Sequence, residues 1–88
     1  MCDYSLVPVP AMAPFVRLYV ERGEPVGGFL TALLSHDMMG AICGADAENY
    51  AKLREWAQFV HCEMPTGSHG SKVAVRAWRG TQTNRRAA

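Results

Sequence analysis

Apolar residues recur along most of this chain at spacings of three and four, the period of a helix with one buried face. Pro14 suits a first helical position, and PFVRLYVER follows with Phe15, Leu18 and Tyr19 at i, i+3 and i+4, beside Val16 and Val20. Arg22 and then Gly23 give a C-terminal signal, so residues 14–22 are expected as the first helix. Gly23-Glu24-Pro25 is a turn, and VGGFLTALLS supplies Phe29, Leu30, Leu33 and Leu34 for a second, almost wholly buried helix with Gly27 and Gly28 at its start. His36-Asp37 interrupts the pattern. Asp37 is a good N-cap for a short helix through Met38, Met39 and Ile42 that Gly44 closes.

Asp46 is expected to cap the longest helix, AENYAKLREWAQFVHCE, with Leu53, Trp56, Ala57 and Val60 as its inner stripe. Glu48 and Lys52 form a helix-supporting i, i+4 pair in the favourable order. Pro65 ends that helix and TGSHGS reads as a loop. Ser71 caps a last helix, KVAVRAWR, stopped by Gly80, with Val73, Ala77 and Trp78 on its inner side. The opening MCDYSLVPVPAMAP breaks the period: Pro8, Pro10 and Pro14 remove donors and push their predecessors to extended geometry. An extended stretch is expected over residues 3–11, and its Tyr4, Leu6, Val7 and Val9 are expected to lie on the domain or on a neighbouring subunit. No NG or DG dipeptide sits between alternating runs, so no hairpin is indicated. The expectation is an all-α fold: a compact bundle of four to five short helices over 14–80, an extended Pro-containing arm at 1–13 and a mobile basic tail at 81–88.

Composition adds limits. Eighty-eight residues, 49% hydrophobic and 19% charged, allow one globular domain and argue against wholesale disorder. No window approaches the ~18 consecutive apolar residues of a membrane span, and no basic stretch leads into an apolar one at the N-terminus. Three cysteines without a CxxC spacing, Cys2, Cys43 and Cys62, point to free thiols in a reducing compartment, with Cys43 and Cys62 packed in the core. A soluble protein of the cytoplasm is expected. A core this small is marginal alone, and oligomerisation would relieve that.

Charge is unevenly spread. Residues 1–63 carry eight acidic and four basic side chains, a net of −4; residues 64–88 carry five basic ones and no acid, a net of +5. That polarity suits a C-terminal surface that docks something anionic. The strongest local candidate is Thr66-Gly67-Ser68-His69-Gly70-Ser71-Lys72, leading into a helix whose N–H groups and dipole favour an anion. Its spacing is not a Walker A loop. Gly67-Ser68-His69-Gly70 spells GXXG, but KH domains need a sheet that is not expected here. Lys72, Arg76 and Arg79 fall at i, i+4 and i+7, a basic face suited to phosphates of a nucleotide or nucleic acid. Both loop and face also fit a plain interhelical turn and a solvated helix.

Other constellations are thinner. His61, Cys62, Cys43 and His69 lack metal-ligand spacing, and adjacent residues on a helix diverge by ~100°, so no metal site and no cofactor are expected. No catalytic constellation is defined, although Cys2 would be an N-terminal nucleophile if Met1 were removed. Met38 and Met39, with His36 and Asp37, form an adaptable candidate interaction surface together with Tyr4, Leu6 and Val7, though core packing would account for the methionines as well.

Residues 21–78 resemble a widespread family of small proteins of tailed phages and prophages. The shared pattern is Gly23, Pro25, Gly28, Phe29-Leu30-Thr31-Ala32, Leu34, Asp37, Ala41, Ala45-Asp46, Asn49, Leu53, Trp56, Pro65, Gly70-Ser71, Lys72-Val73 and Trp78. Where many relatives carry Cys-Trp before the Gly-Ser, this chain has Ser68-His69, so a ligand of that loop does not carry over. The resemblance implies phage or prophage origin, the cytoplasm of a bacterial host, and no particular chemistry. The expected function is therefore a small non-enzymatic binding protein that occludes a host protein or antiphage defence complex. The alternative is an oligomeric nucleotide-signal sponge or nucleic-acid binder that uses Gly67–Lys72 and the basic last helix. No membrane partner is expected.

Overall fold

The computed structural model describes residues 3–87, with side chains through Arg79. Cys2, the side chains of Arg85 and Arg86, and the expected mobility of the tail lie outside what is described. Among the described residues the fold is all-α: α1 (Ala13–Arg22), α2 (Gly28–Leu34), α3 (Met38–Gly44), α4 (Ala47–Ala51), α5 (Leu53–Glu63) and α6 (Lys72–Ala87), with no strand. None of these helices is long and apolar enough to cross a membrane.

The arm is extended at Val7 (φ −58°, ψ 123°) and Val9 (φ −115°, ψ 102°) and turned on either side of them. Tyr4–Leu6 and Pro10–Met12 are 3-10 turns, the first capped by Asp3, whose carboxylate accepts from the Ser5 N–H at 3.0 Å and the Ser5 hydroxyl at 2.6 Å. Those two bonds also hold the Asp3 carboxyl below its ordinary pKa. Between the turns, Val7 and Val9 bury themselves in the core. Two apolar residues two apart on a Pro-stiffened segment share one side, and the gain from burying them outweighs solvating a loose arm.

α1 starts around Pro14 and ends at Gly23, whose φ of 66° is the left-handed cap that glycine adopts without strain. Its inner face is Val16 and Tyr19, not Phe15 and Leu18, which remain 54% and 40% exposed. Polar anchors help set this rotation. The buried Tyr19 hydroxyl donates to the Ser68 carbonyl at 2.6 Å, and the Trp78 indole donates to the Tyr19 carbonyl at 3.0 Å. Together they bind α1, the loop after α5 and α6 to one another.

α2 and α3 form a tight pair. Asp37 caps α3 as expected, its carboxylate accepting from the Gly40 N–H at 3.0 Å. A Cβ at Gly40 would meet Asp37 Oδ2 at 2.5 Å and Ala32 Cβ at 3.1 Å, so the cap and the close approach of the two helices both need glycine there. The Asp46-capped segment is two helices, not one. The backbone leaves helical geometry at Lys52 (φ −107°, ψ 17°), which separates α4 from α5. The break accompanies an internal bond: buried Asn49 accepts from the Trp56 indole at 3.0 Å. Trp56 in turn meets Phe29 and Phe59 edge to face at the centre of the core.

α6 is capped by Ser71, whose hydroxyl accepts from the Ala74 N–H at 3.0 Å. Its inner side is Val75 with Trp78, while Val73 faces solvent at 77% exposure. The helix does not stop at Gly80 but continues to Ala87. One interior glycine costs only about 1 kcal/mol, and no proline follows to end the helix.

Candidate functional site

A groove of about 560 Å³ opens on the face shared by α3 and α5. α3 contributes Met38, Ala41 and Ile42; α5 contributes Leu53, Arg54, Ala57, Val60 and His61; Leu33, His36 and Asp37 line it from α2 and the turn after it, and His69 from the loop before α6. The α5 residues recur at a helical stripe, so they present one side of the helix. Ala57 in the middle of that stripe leaves room where a larger side chain would fill the gap. Met38 lines the groove at 72% exposure, while its neighbour Met39, 70% exposed, lies outside the lining. Among the described residues these two are, after Val73, the most exposed of the large hydrophobics.

All three histidines of the chain line this groove. Two of them touch: His36 Nε2 lies 3.1 Å from His69 Nδ1, with the ring centroids 5.3 Å apart. The centroids stand about 2 Å further apart than the nitrogens, so the rings meet nitrogen to nitrogen rather than face over face. One ring must donate N–H to the bare nitrogen of the other. Such a contact survives one added proton, which turns the pair into imidazolium and imidazole, but two imidazolium rings would set N–H against N–H. Burial holds the His69 pKa below its ordinary value, and the neighbouring His36 and His61 push it the same way. His36 has φ 59°, uncommon for a residue with a side chain. The adjoining backbone fixes it: His36 N–H donates to Leu33 O at 3.1 Å and Asp37 N–H to Ala32 O at 2.8 Å.

The nitrogens of the pair face each other instead of converging on a third point. Among the described residues no group of three or more His, Cys, Asp or Glu side chains is placed to hold a metal ion. Cys43 and Cys62, expected in the core, are both exposed. Each sits on the outward side of its helix, and the close α2–α3 packing is made by small residues instead.

The Gly67–Lys72 loop is held mainly by its own donors. Ser68 is wholly buried; its N–H and hydroxyl both donate to the Pro65 carbonyl, at 3.0 and 2.7 Å. Gly70, at φ 125°, donates its N–H to Leu34 O at 2.8 Å. Gly67 takes φ 92° to turn the chain. Ser68 and Gly70 are therefore ties between this loop and the rest of the fold, and they present no free donor to a phosphate. Burial pushes the pKa of Tyr19, which holds Ser68, up to about 12, with the Arg79 charge opposing. Lys72, Arg76 and Arg79 are exposed on α6 as the spacing predicts.

The proposed interaction surface divides. His36, Asp37 and Met38 line the groove, Met39 is exposed outside its lining, Tyr4 is half-buried, Leu6 is 55% exposed, and Val7 belongs to the core and presents no surface. On the α5 side of the groove, Arg54 was not singled out from the sequence, His61 was weighed only as a metal ligand, and Ala57, expected on the inner stripe, is exposed because the buried face of α5 is Trp56, Phe59 and Val60. The Leu53, Ala57, Val60 spacing carried the signal, since positions 54 and 61 flank that stripe one helical step away. No family model matches the chain, and neither the curated proteins nor the solved structures contain a match.

Proposed function

We propose that this protein is a small binding protein without a catalytic step, which seats a helical segment of a partner protein in the α3–α5 groove and so occludes that partner's surface. The observation that carries the reading is the groove itself: an apolar trough between two helices, lined on its α3 side by the exposed Met38. Helix-in-groove recognition uses such a trough, with apolar anchors of the partner at i, i+3, i+4 and i+7. Flexible methionine side chains adapt to the anchors they meet. The stripe from Leu53 to His61 extends for about 12 Å at 1.5 Å per residue, long enough for two turns of a partner helix. A host factor or an antiphage defence component is the partner class that fits the resemblance of residues 21–78 to phage proteins, and the bacterial cytoplasm is where it would be met.

The test compares three tagged proteins at equal expression: wild type, Ala57→Arg, and the double variant Lys72→Glu/Arg76→Glu. Ala57 is exposed, so arginine there blocks the trough without entering the core. A partner that co-purifies with wild type and the double variant but not with Ala57→Arg supports the reading, provided Ala57→Arg melts within about 2 °C of wild type. Recovery unchanged by Ala57→Arg overturns it.

A second reading rests on α6, where Lys72, Arg76 and Arg79 are exposed on one face and residues 64–88 contain no acid. It has the protein holding phosphates of nucleic acid along that helix. Three phosphate contacts give duplex-DNA binding whose log–log salt slope is about −2.7. A slope near zero, or binding unchanged in the double variant, removes it.

A further inference from the structure

We infer that the segment seated in the α3–α5 groove is an amphipathic helix with an acidic flank, its carboxylates held by Arg54, His61 and the His36–His69 pair. The inference deepens the groove reading and rests on it. Its argument is charge complementarity. Five polar side chains line the trough, and four of them are cationic or can become so; Asp37 is the exception. Asp37 is also engaged, since its carboxylate caps α3 at the Gly40 N–H. A basic flank on the partner would find one occupied carboxylate and be repelled by Arg54. An acidic flank would find a permanent charge at Arg54 and protonatable rings from three separate elements.

The groups that set the proton dependence are His36 and Asp37 in the α2–α3 turn, Arg54 and His61 on α5, and His69 in the loop before α6. At neutral pH with neutral histidines, Arg54 and Asp37 cancel. The His36–His69 contact admits one added proton and not two, because a second would set N–H against N–H. Any proton taken up by these rings adds positive charge beside Arg54, while a partner glutamate, with a reference pKa of about 4.3, stays ionised. Binding of an acidic helix is thereby linked to proton uptake by the groove.

The test uses three synthetic helical peptides that share one apolar stripe and differ only in flanking residues: glutamate, glutamine or lysine. Affinities are measured calorimetrically with the full chain at pH 7.5 and 5.5. The expected order is glutamate, then glutamine, then lysine, and the glutamate peptide tightens by about fivefold or more on acidification, the effect of an exposed ion pair. His36→Asn, which keeps a residue tolerant of positive φ, and His61→Gln on the exposed face of α5 each weaken binding of the glutamate peptide and reduce that gain, and leave the affinity of the glutamine peptide within twofold of wild type at both pH values. Equal binding of all three peptides that Ala57→Arg abolishes overturns the acidic flank and preserves the groove. Preference for lysine, or a pH response that survives both histidine variants, also overturns it. Dodecanoate that binds more tightly than the glutamate peptide assigns the trough to a small amphiphilic acid and overturns the helix. No saturable binding by any peptide up to millimolar concentration sinks the groove reading along with it.

Discussion

Replacing Tyr19 by phenylalanine isolates the contact that fastens the His69 loop to the bundle. The hydroxyl donates to the Ser68 carbonyl at 2.6 Å, and both residues are fully buried. Phenylalanine keeps the packed ring, so the change is confined to the hydrogen bond. A typical bond contributes about 1 kcal/mol, and a buried carbonyl left without its donor raises the cost to about 2 kcal/mol. In a domain of this size each kcal/mol moves Tm by roughly 4–8 °C, so a drop of about 10 °C is expected by circular dichroism at pH 8. The pH dependence supplies a second check. The Tyr19 pKa is raised from 10.0 to about 12 in the folded state, so its contribution is whole below pH 10 and is lost as pH rises towards 12. Between those values the unfolded phenol is ionised and the folded one is not, and stability falls by at most about 1 kcal/mol per pH unit. The gap between wild type and Tyr19→Phe should therefore narrow from pH 10 upwards. Equal melting temperatures at pH 8, or a gap that widens in alkali, would refute the role given to this bond.

Exposed Cys43 and Cys62 are expected to react with a chromogenic disulfide reagent in the native protein, scored as two thiols in a Cys2→Ser background; protection until unfolding would contradict their placement. Ser35→Ala should be neutral or stabilising by up to about 1 kcal/mol in urea melts, since the Ser35 hydroxyl is buried without a hydrogen-bond partner among the described residues. Gly70→Ala should cost about 1–2 kcal/mol because φ 125° strains any side chain. In Gly28→Ala the new methyl meets nothing within 4 Å at the start of α2, and a gain of about 0.5–1 kcal/mol is expected. Equal effects of the two glycine variants would count against both assignments.

Local signals predicted what local chemistry decides. Asp37, Asp46 and Ser71 each accept the backbone N–H that a capping residue should, and Gly23 ends α1. Tertiary partners decided the rest. Phe15 and Leu18 fit the helical stripe of α1 as well as Val16 does, and only the Tyr19–Ser68 and Trp78–Tyr19 bonds show which side turns inward. The break at Lys52 is equally hidden, because it accompanies the bond from Trp56 to Asn49 within the folded core. The candidate site was half legible. His36, Asp37, Met38 and Met39 stood out as a break in the period followed by soft apolar residues, and the first three of them line the groove. The joining of His36 to His69, 33 residues apart, and the facing stripe on α5 depend on how the helices pack, which no local spacing encodes.

The most direct test of the groove is photo-crosslinking in cells that express the protein, with a benzoyl-phenylalanine placed in turn at Met38, Phe15 and Arg76. These positions sample the groove edge, the outer face of α1 and the basic face of α6, and all three are exposed. The account predicts one discrete protein adduct at Met38, mapping by mass spectrometry to a helical segment with apolar anchors and flanking acids, and none at Phe15. Nucleic acid captured at Arg76, or a protein captured only at Phe15, with Met38 bare in the same cells, would contradict it.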